Sequence, residues 1–318
     1  MPDRAGALAA RDEGRATRAE EPRPSSLVPL RAPAPWRLAA REVALDRPVV
    51  IGILNVTPDS FSDGGRHARP DDAVAHALRL ARDGADVIDV GGESTRPQGA
   101  IPVAAVEERR RVVPVVRRLR AELPEVPISV DTTKAEVAAA ALEAGAEIVN
   151  DVSGFRLDPR MGQICSDARC GVVLMHSRGD VGDMATFRHA EYGDDVVSEV
   201  RAELRRALDG AERAGVEPER VVLDPGVGFA KRREHSLAVL AGIPALLELG
   251  RPLLVGVSRK RFIGEITGVS EAAERVDGTT GANVAALALG ARLFRVHDVR
   301  PARHALDVAW AVLGGARP

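Results

Sequence analysis

From Pro48 onward, short runs of Val, Ile and Leu alternate with longer stretches in which apolar positions recur every three or four residues. Short unbroken apolar runs belong to parallel strands covered on both faces, and the three-and-four spacing belongs to amphipathic helices that do the covering. Eight runs stand out, at residues 49–55, 87–90, 128–131, 148–151, 172–176, 221–224, 253–257 and 293–296. Helical spacing fills the intervals, clearest over 71–82 and 103–123. Asp71 and Asp72 mark the start of the first helix, Thr132 or Thr133 the third, and Pro301 the last. Gly84-Ala85, Gly145-Ala146 and Gly290-Ala291 each stand just ahead of a strand, where Gly suits a helix C-cap and Ala a tight turn. Eight βα units with right-handed crossovers close most simply into an α/β fold of the TIM type, a (β/α)8 barrel with its site at the C-terminal ends of the strands. An open doubly wound sheet would need fewer strands and a glycine fingerprint that this chain lacks.

Composition changes this picture in three places. Residues 1–35 are rich in Ala, Arg, Glu and Pro without apolar periodicity, so they read as a disordered leader, or as the product of a misassigned start codon. The barrel domain is expected over 36–318. A net charge of -2 over 318 residues offers no general attraction to nucleic acid or to an anionic membrane, so any anion site must be local. Cys165 and Cys170 have no ligand partners at metal spacing and read as core thiols. With no apolar stretch of membrane-spanning length and no signal-peptide core, a cytoplasmic enzyme is the default expectation.

The residues that leave each strand carry the candidate chemistry. They are Asn55, then Asp89 with Glu93 to Pro97, Asp131, Asn150 with Asp151, His176, Asp224, Ser258-Arg259-Lys260, and Arg295 with His297 and Asp298. In a barrel these ends meet at one mouth. Any single Asp there has the alternative of capping the next helix, and Asp131, followed by Thr132-Thr133-Lys134, is the best candidate for that. Asp131, Asn150, Asp224 and Lys260 suit the edge of a flat heterocycle such as a pterin or purine, because carboxylates accept paired N–H groups and Lys donates to ring oxygen or nitrogen. Arg96, Arg259, Arg295 and His297 with Asn55 suit a diphosphate leaving group, with or without Mg²⁺. Residues 60–65 and 91–99 have the Gly, Ser and Pro content of lids. The glycines between Asp224 and Lys231 lack the P-loop spacing, so a nucleotide P-loop is excluded. Phe229 reads either as a platform for a planar substrate or as an ordinary core residue.

The segments Gly52 to Gly65 and Gly84 to Pro97, with Ser129 to Thr132, Asn150 to Gly154, Asp224 to Gly226, Ser258 to Lys260 and Arg295 to Asp298, resemble the dihydropteroate synthase family, the pterin-binding target of sulfonamides. The resemblance runs from about Val49 to Leu313. It implies condensation of (7,8-dihydropterin-6-yl)methyl diphosphate with 4-aminobenzoate, diphosphate leaving before the amine attacks. It places Asp131, Asn150, Asp224 and Lys260 on the pterin, with Met175 packing the ring. Asn55, Arg295 and His297 then fall on the diphosphate and Mg²⁺ site, Asn55 as metal ligand, with Arg96 closing over them. Phe61, Thr95, Pro97, Phe229 and Ser258 fall on the aminobenzoate pocket. Asp131, Lys260 and Arg96 are the expected catalytic residues.

Some positions depart from the common family pattern. Gln98 adds a residue after Pro97, Val227 and Ala230 flank Phe229 in place of Phe and Gly, and Ser177-Arg178 replace Met-Gln, which places an additional cation near the pterin mouth. The family forms homodimers through barrel helices, and apolar content at 285–289 and 302–313 suits that role. Two rival readings are a corrinoid-type pterin methyltransferase, which has no diphosphate to bind, and a catalytically silent paralogue.

Overall fold

The computed structural model describes residues 33–57, 70–93 and 102–314. The expected leader lies outside them except for 33–35. Two short strands come first, β1 (Trp36–Arg37) and β2 (Glu42–Val43), paired antiparallel. The barrel strands follow: β3 (Val49–Asn55), β4 (Val87–Gly91), β5 (Ile128–Asp131), β6 (Ile148–Asp151), β7 (Gly171–Met175), β8 (Val221–Asp224), β9 (Leu254–Val255) and β10 (Leu293–Val296). All eight are parallel, in the order β8-β7-β6-β5-β4-β3-β10-β9, and a parallel bridge from Leu223 to Leu253 closes the ring. This is the expected (β/α)8 barrel.

Five of the expected strands coincide with observed ones to the residue. Strands buried on both faces announce both ends, because polarity changes where the covering helices stop. β9 is shorter than its apolar run, since the chain turns beyond it and Lys260 N donates to Val257 O at 3.1 Å.

The outer ring is α1 (Pro70–Arg82), α2 (Ala105–Glu122), α3 (Ala135–Glu143), α4 (Met161–Ala168), α5 (Val196–Arg213), α6 (Arg233–Ala241), α7 (Ile243–Leu247), α8 (Arg261–Thr267), α9 (Val276–Ala288) and α10 (Val299–Val312). Gly84, Gly145 and Gly290 adopt φ of +100°, +111° and +110° at helix ends, a region that costs L residues strain, so the repeated glycine device is real. Helix starts were less legible. α3 begins at Ala135, whose amide donates to Asp158 Oδ2 at 3.0 Å, while Thr132 Oγ1 accepts from Lys134 N at 3.2 Å just ahead of it. α10 begins at Val299, so Pro301 sits within its first turn.

Inside the barrel, side chains alternate along each strand with period two. Val49, Ile51, Val87, Ile148, Val173, Val222, Leu254 and Leu293, near the strand starts, pack against Trp36, Leu38 and Leu45. The β1–β2 hairpin therefore seals the N-terminal end. Trp36 is 1% exposed, and its Nε1 donates to Arg220 O at 2.7 Å. Cys165 and Cys170 are both free and buried, as expected.

Candidate active site

Two residues beyond that apolar layer, the same inward phase carries Asp89 on β4, Asn150 on β6, Met175 on β7, Asp224 on β8 and Arg295 on β10, with Asp131 joining from β5. Asp89 Oδ2 accepts from Arg295 Nε at 2.6 Å and from Asn150 Nδ2 at 3.1 Å. Arg295 Nη2 donates to Asp131 Oδ2, also at 2.6 Å. One guanidinium thus ties together two carboxylates from different strands. Asp224 Oδ1 accepts from Gly226 N at 2.7 Å. A Cβ at Gly256 would lie 3.7 Å from Asp224 Oδ2 and 4.0 Å from both Lys260 Nζ and Arg295 Cβ, so these groups converge on a glycine. The Cβ position of Gly91 is likewise 3.8 Å from Asn55 Oδ1 and 3.9 Å from Asp131 Oδ2. Asp131, Asn150, Asp224, Lys260 and Arg295 form one floor, and Asn55 stands at its edge.

Around this floor, Lys260 Nζ donates to Val227 O and sits 4.5 Å from the centre of the Phe229 ring. Met175 packs with Val152 and Met184, and Phe229 lies against the same cluster. His297 Nδ1 is 3.0 Å from Ser258 Oγ, which also accepts from His297 N at 3.1 Å. Phe61, Thr95, Arg96, Pro97 and Gln98 lie outside the described residues, as does most of each expected lid.

Burial shapes the charges. It raises the pKa of Asp131, with Arg295 opposing and Asp89 reinforcing the rise. Asp224 is raised for the same first reason, against the pull of Lys260. Burial pushes Lys260 down to about 8, although Asp224 works against it. Burial disfavours the Arg295 cation too, but Asp89 and Asp131 outweigh it and hold the guanidinium above its ordinary pKa. The result is a dry cluster of acceptors beside a lysine that holds its proton weakly.

The ion pairs add detail to three expectations. Arg295, grouped by sequence with the anion donors, also pairs with Asp89 and Asp131, which it reaches from β10. Arg259 is taken up by a two-pronged pair with Asp298, at 2.9 and 2.6 Å. Arg178 is held by Glu199 and Glu203, so two carboxylates offset the additional cation. The strand-end reading also named Asp89 without giving it a role. Its period-two spacing from Val87 was the available signal, since that phase points inward.

The sequence profile of a family described as pterin binding enzyme matches residues 51–297. The chain is 49% identical over 271 residues to the dihydropteroate synthase of Mycobacterium leprae, covering 83% of this chain and 93% of that protein. It is 42% identical over 279 residues to that of Escherichia coli, covering 87% and 96%. Among solved structures, Xanthomonas albilineans dihydropteroate synthase with 4-aminobenzoic acid superposes with a TM-score of 0.81 at 49% identity, over 88% of this chain and 98% of that one. The Xanthomonas enzyme in complex with 7,8-dihydropteroate gives 0.77 at 47% identity, over 86% and 97%. An inward-facing floor of acids, amide, lysine and arginine on a parallel barrel, matched along nearly its whole length by such relatives, places the chain in the dihydropteroate synthase family of pterin-binding enzymes.

Proposed function

We propose that the chain condenses (7,8-dihydropterin-6-yl)methyl diphosphate with 4-aminobenzoate to give 7,8-dihydropteroate and diphosphate, a step of folate biosynthesis. The observation that carries this reading is the single buried floor of Asp131, Asn150, Asp224, Lys260 and Arg295. Carboxylates and an amide at fixed separations match the N–H edge of a pterin, and Lys260 donates to its carbonyl or ring nitrogen. Met175 packs the ring.

The substitution is dissociative. The bond from the exocyclic carbon to diphosphate breaks first, its electron pair leaving with oxygen, and the cation left behind is conjugated into the pterin. The amine nitrogen then bonds to that carbon and loses a proton. Asp131 beside the ring opposes the growing positive charge. At about 4 Å and an effective dielectric near 20 a full carboxylate charge is worth roughly 4 kcal/mol, an upper bound here because Arg295 already pairs with Asp131. No nucleophilic side chain is then required, because orientation and electrostatics suffice for a good leaving group.

Arg295 has five N–H donors, and its bonds to Asp89 and Asp131 leave others for the departing diphosphate, beside His297 and Asn55. Phe229 and Ser258 line the aminobenzoate side, and the family resemblance adds Phe61, Thr95 and Pro97 there, with Arg96 over the diphosphate. A Mg²⁺ ion would fit this arrangement as a companion of the diphosphate, with the Asn55 amide oxygen at the edge of the floor as its protein ligand. Such an ion usually keeps waters and takes phosphate oxygens, and it would neutralise charge on the leaving group.

This reading takes residues 36–318 as one catalytic barrel, with 1–35 outside it. It also takes the protein as a cytoplasmic homodimer. Val308 and Val312, 66% and 81% exposed on α10, with Ile266 at 56% on α8, support a helical interface. Among the described residues no helix is long and apolar enough to cross a membrane. The test is calorimetry with the pterin diphosphate on the wild type and Lys260→Ala, beside a steady-state assay for dihydropteroate. Affinity is expected to fall about a hundredfold in the variant, a loss of about 3 kcal/mol. Equal affinity, or no product from the wild type, overturns the proposal.

A further inference from the structure

Behind the floor lies a second polar chain that none of these contacts uses. Lys231 is 2% exposed, and its ammonium donates to Gly226 O and Phe229 O, each at 3.2 Å, and to His176 Nδ1 at 2.7 Å. Protonated, the amine has three hydrogens for these three acceptors, which favours the ammonium against the burial that pushes its pKa down. Because Nδ1 accepts, the His176 ring carries its proton on Nε2, which donates to Glu203 Oε2 at 3.1 Å. Glu203, on α5, is held in turn by Arg178, whose Nε donates to its Oε1 at 3.1 Å and which stacks 4.0 Å over the Tyr192 ring.

The carbonyls that Lys231 grips belong to the loop after β8, and that loop serves the floor twice. Gly226 N donates to Asp224, and Val227 O accepts from Lys260. The loop is also pressed against β7: a Cβ at Gly226, where φ is +64°, would lie 1.9 Å from His176 O.

We propose that Lys231 is a positioning residue for pterin recognition, setting the loop whose backbone aims both Asp224 and Lys260, and anchoring it to α5 through His176 and Glu203. The inference rests on the reading of Asp224 and Lys260 as pterin contacts. The His176 link is durable: burial first, and then the Lys231 charge, push that imidazole down to about 4, so it stays neutral and keeps Nδ1 open to accept. Lys231 is itself pushed down by burial, with Asp224 and Glu203 opposing and Lys260 and Arg178 reinforcing the fall.

The experiment compares Lys231→Met, Glu203→Gln and Lys260→Ala by calorimetry with the pterin diphosphate, steady-state kinetics with 4-aminobenzoate, and ¹⁵N spectra of the histidine rings. Lys231→Met is expected to raise the pterin Kd about tenfold and, because Lys231 also holds Phe229 O, the aminobenzoate KM by a smaller factor of about twofold to threefold. The His176 ring should then titrate nearer its ordinary value of about 6.5. A folded Lys231→Met protein with wild-type pterin affinity overturns the inference, whatever its loss of thermal stability. If that variant does not fold, Glu203→Gln decides: about threefold weaker pterin binding supports the anchor, and unchanged binding overturns it. Lys260→Ala separates the two levels. Pterin loss there with none in Lys231→Met sinks only the positioning role, whereas no loss in Lys260→Ala sinks the site reading and this inference together.

Discussion

The two ends of the barrel interior are built from the same strands in the same inward phase, yet they differ in almost every physical property. At the N-terminal end the inward residues are Val, Ile and Leu, and the β1–β2 hairpin drops Trp36 into them. Two residues further along β4, β6, β8 and β10 the positions become Asp89, Asn150, Asp224 and Arg295. A β-strand moves about 6.6 Å in two residues, so the change from oil to charge occurs within one layer of side chains. The lower layer holds the ring closed through burial of apolar surface, and the upper layer spends some of that stability on holding like charges together in a dry place. Stability and chemistry thus occupy adjacent floors.

The sharpest way to break this comparison is Arg295→Met. It leaves the carboxylates of Asp89 and Asp131 buried without their cation, which costs about 3–5 kcal/mol. Denaturant unfolding is expected to register that loss, and turnover is expected to fall about a thousandfold. Activity within tenfold of wild type would mean the upper floor is not the site. On the lower floor, Trp36→Ala is expected to cost about 3–4 kcal/mol of stability by opening a cavity, with kcat/KM of the folded protein changed less than about twofold. Unfolding melts beside steady-state kinetics check it, and a large kcat/KM loss without destabilisation would erase the division between the floors.

A smaller and reversible effect comes from pH. Lys260 holds its proton up to about 8 in the folded protein, against an ordinary 10.5. As pH rises through about 8 it loses a donor to the pterin, so kcat/KM is expected to fall roughly tenfold per unit. Stability moves the other way. Between about 8 and 10.5 the unfolded chain binds this proton and the folded one does not, so the Lys260 contribution to stability rises with pH. Parallel pH profiles of turnover and of unfolding, run on the wild type and Lys260→Met, read both signs.

Most of the barrel was legible along the chain for a local reason. β3, β5, β6, β8 and β10 are covered on both faces, so their apolar runs begin and end where the covering does. The β1–β2 hairpin was not legible, because two-residue strands carry no periodicity and Trp36 is placed by contacts with distant strands. The start of α3 was legible in part: Thr132 takes the Lys134 amide, but the Ala135 amide goes to Asp158 of the following unit, which no local pattern announces. Within the site, the residue types at the strand ends announced the chemistry, but their partners did not. Nothing in a linear reading distinguishes Arg259, paired with Asp298, from Arg295, paired with Asp89 and Asp131.

The sequence alone therefore determined the eight βα units, the glycine turns between them and the polar strand ends, since each depends on spacing within one segment and on where water is excluded. Tertiary structure alone decided which charges neutralise which, where Arg178 and Lys231 point, and what plugs the floor. Ion pairs and hydrogen bonds act over a few ångströms between residues as far apart as Asp89 and Arg295, 206 positions along the chain. Only closure of the ring brings such residues within that range.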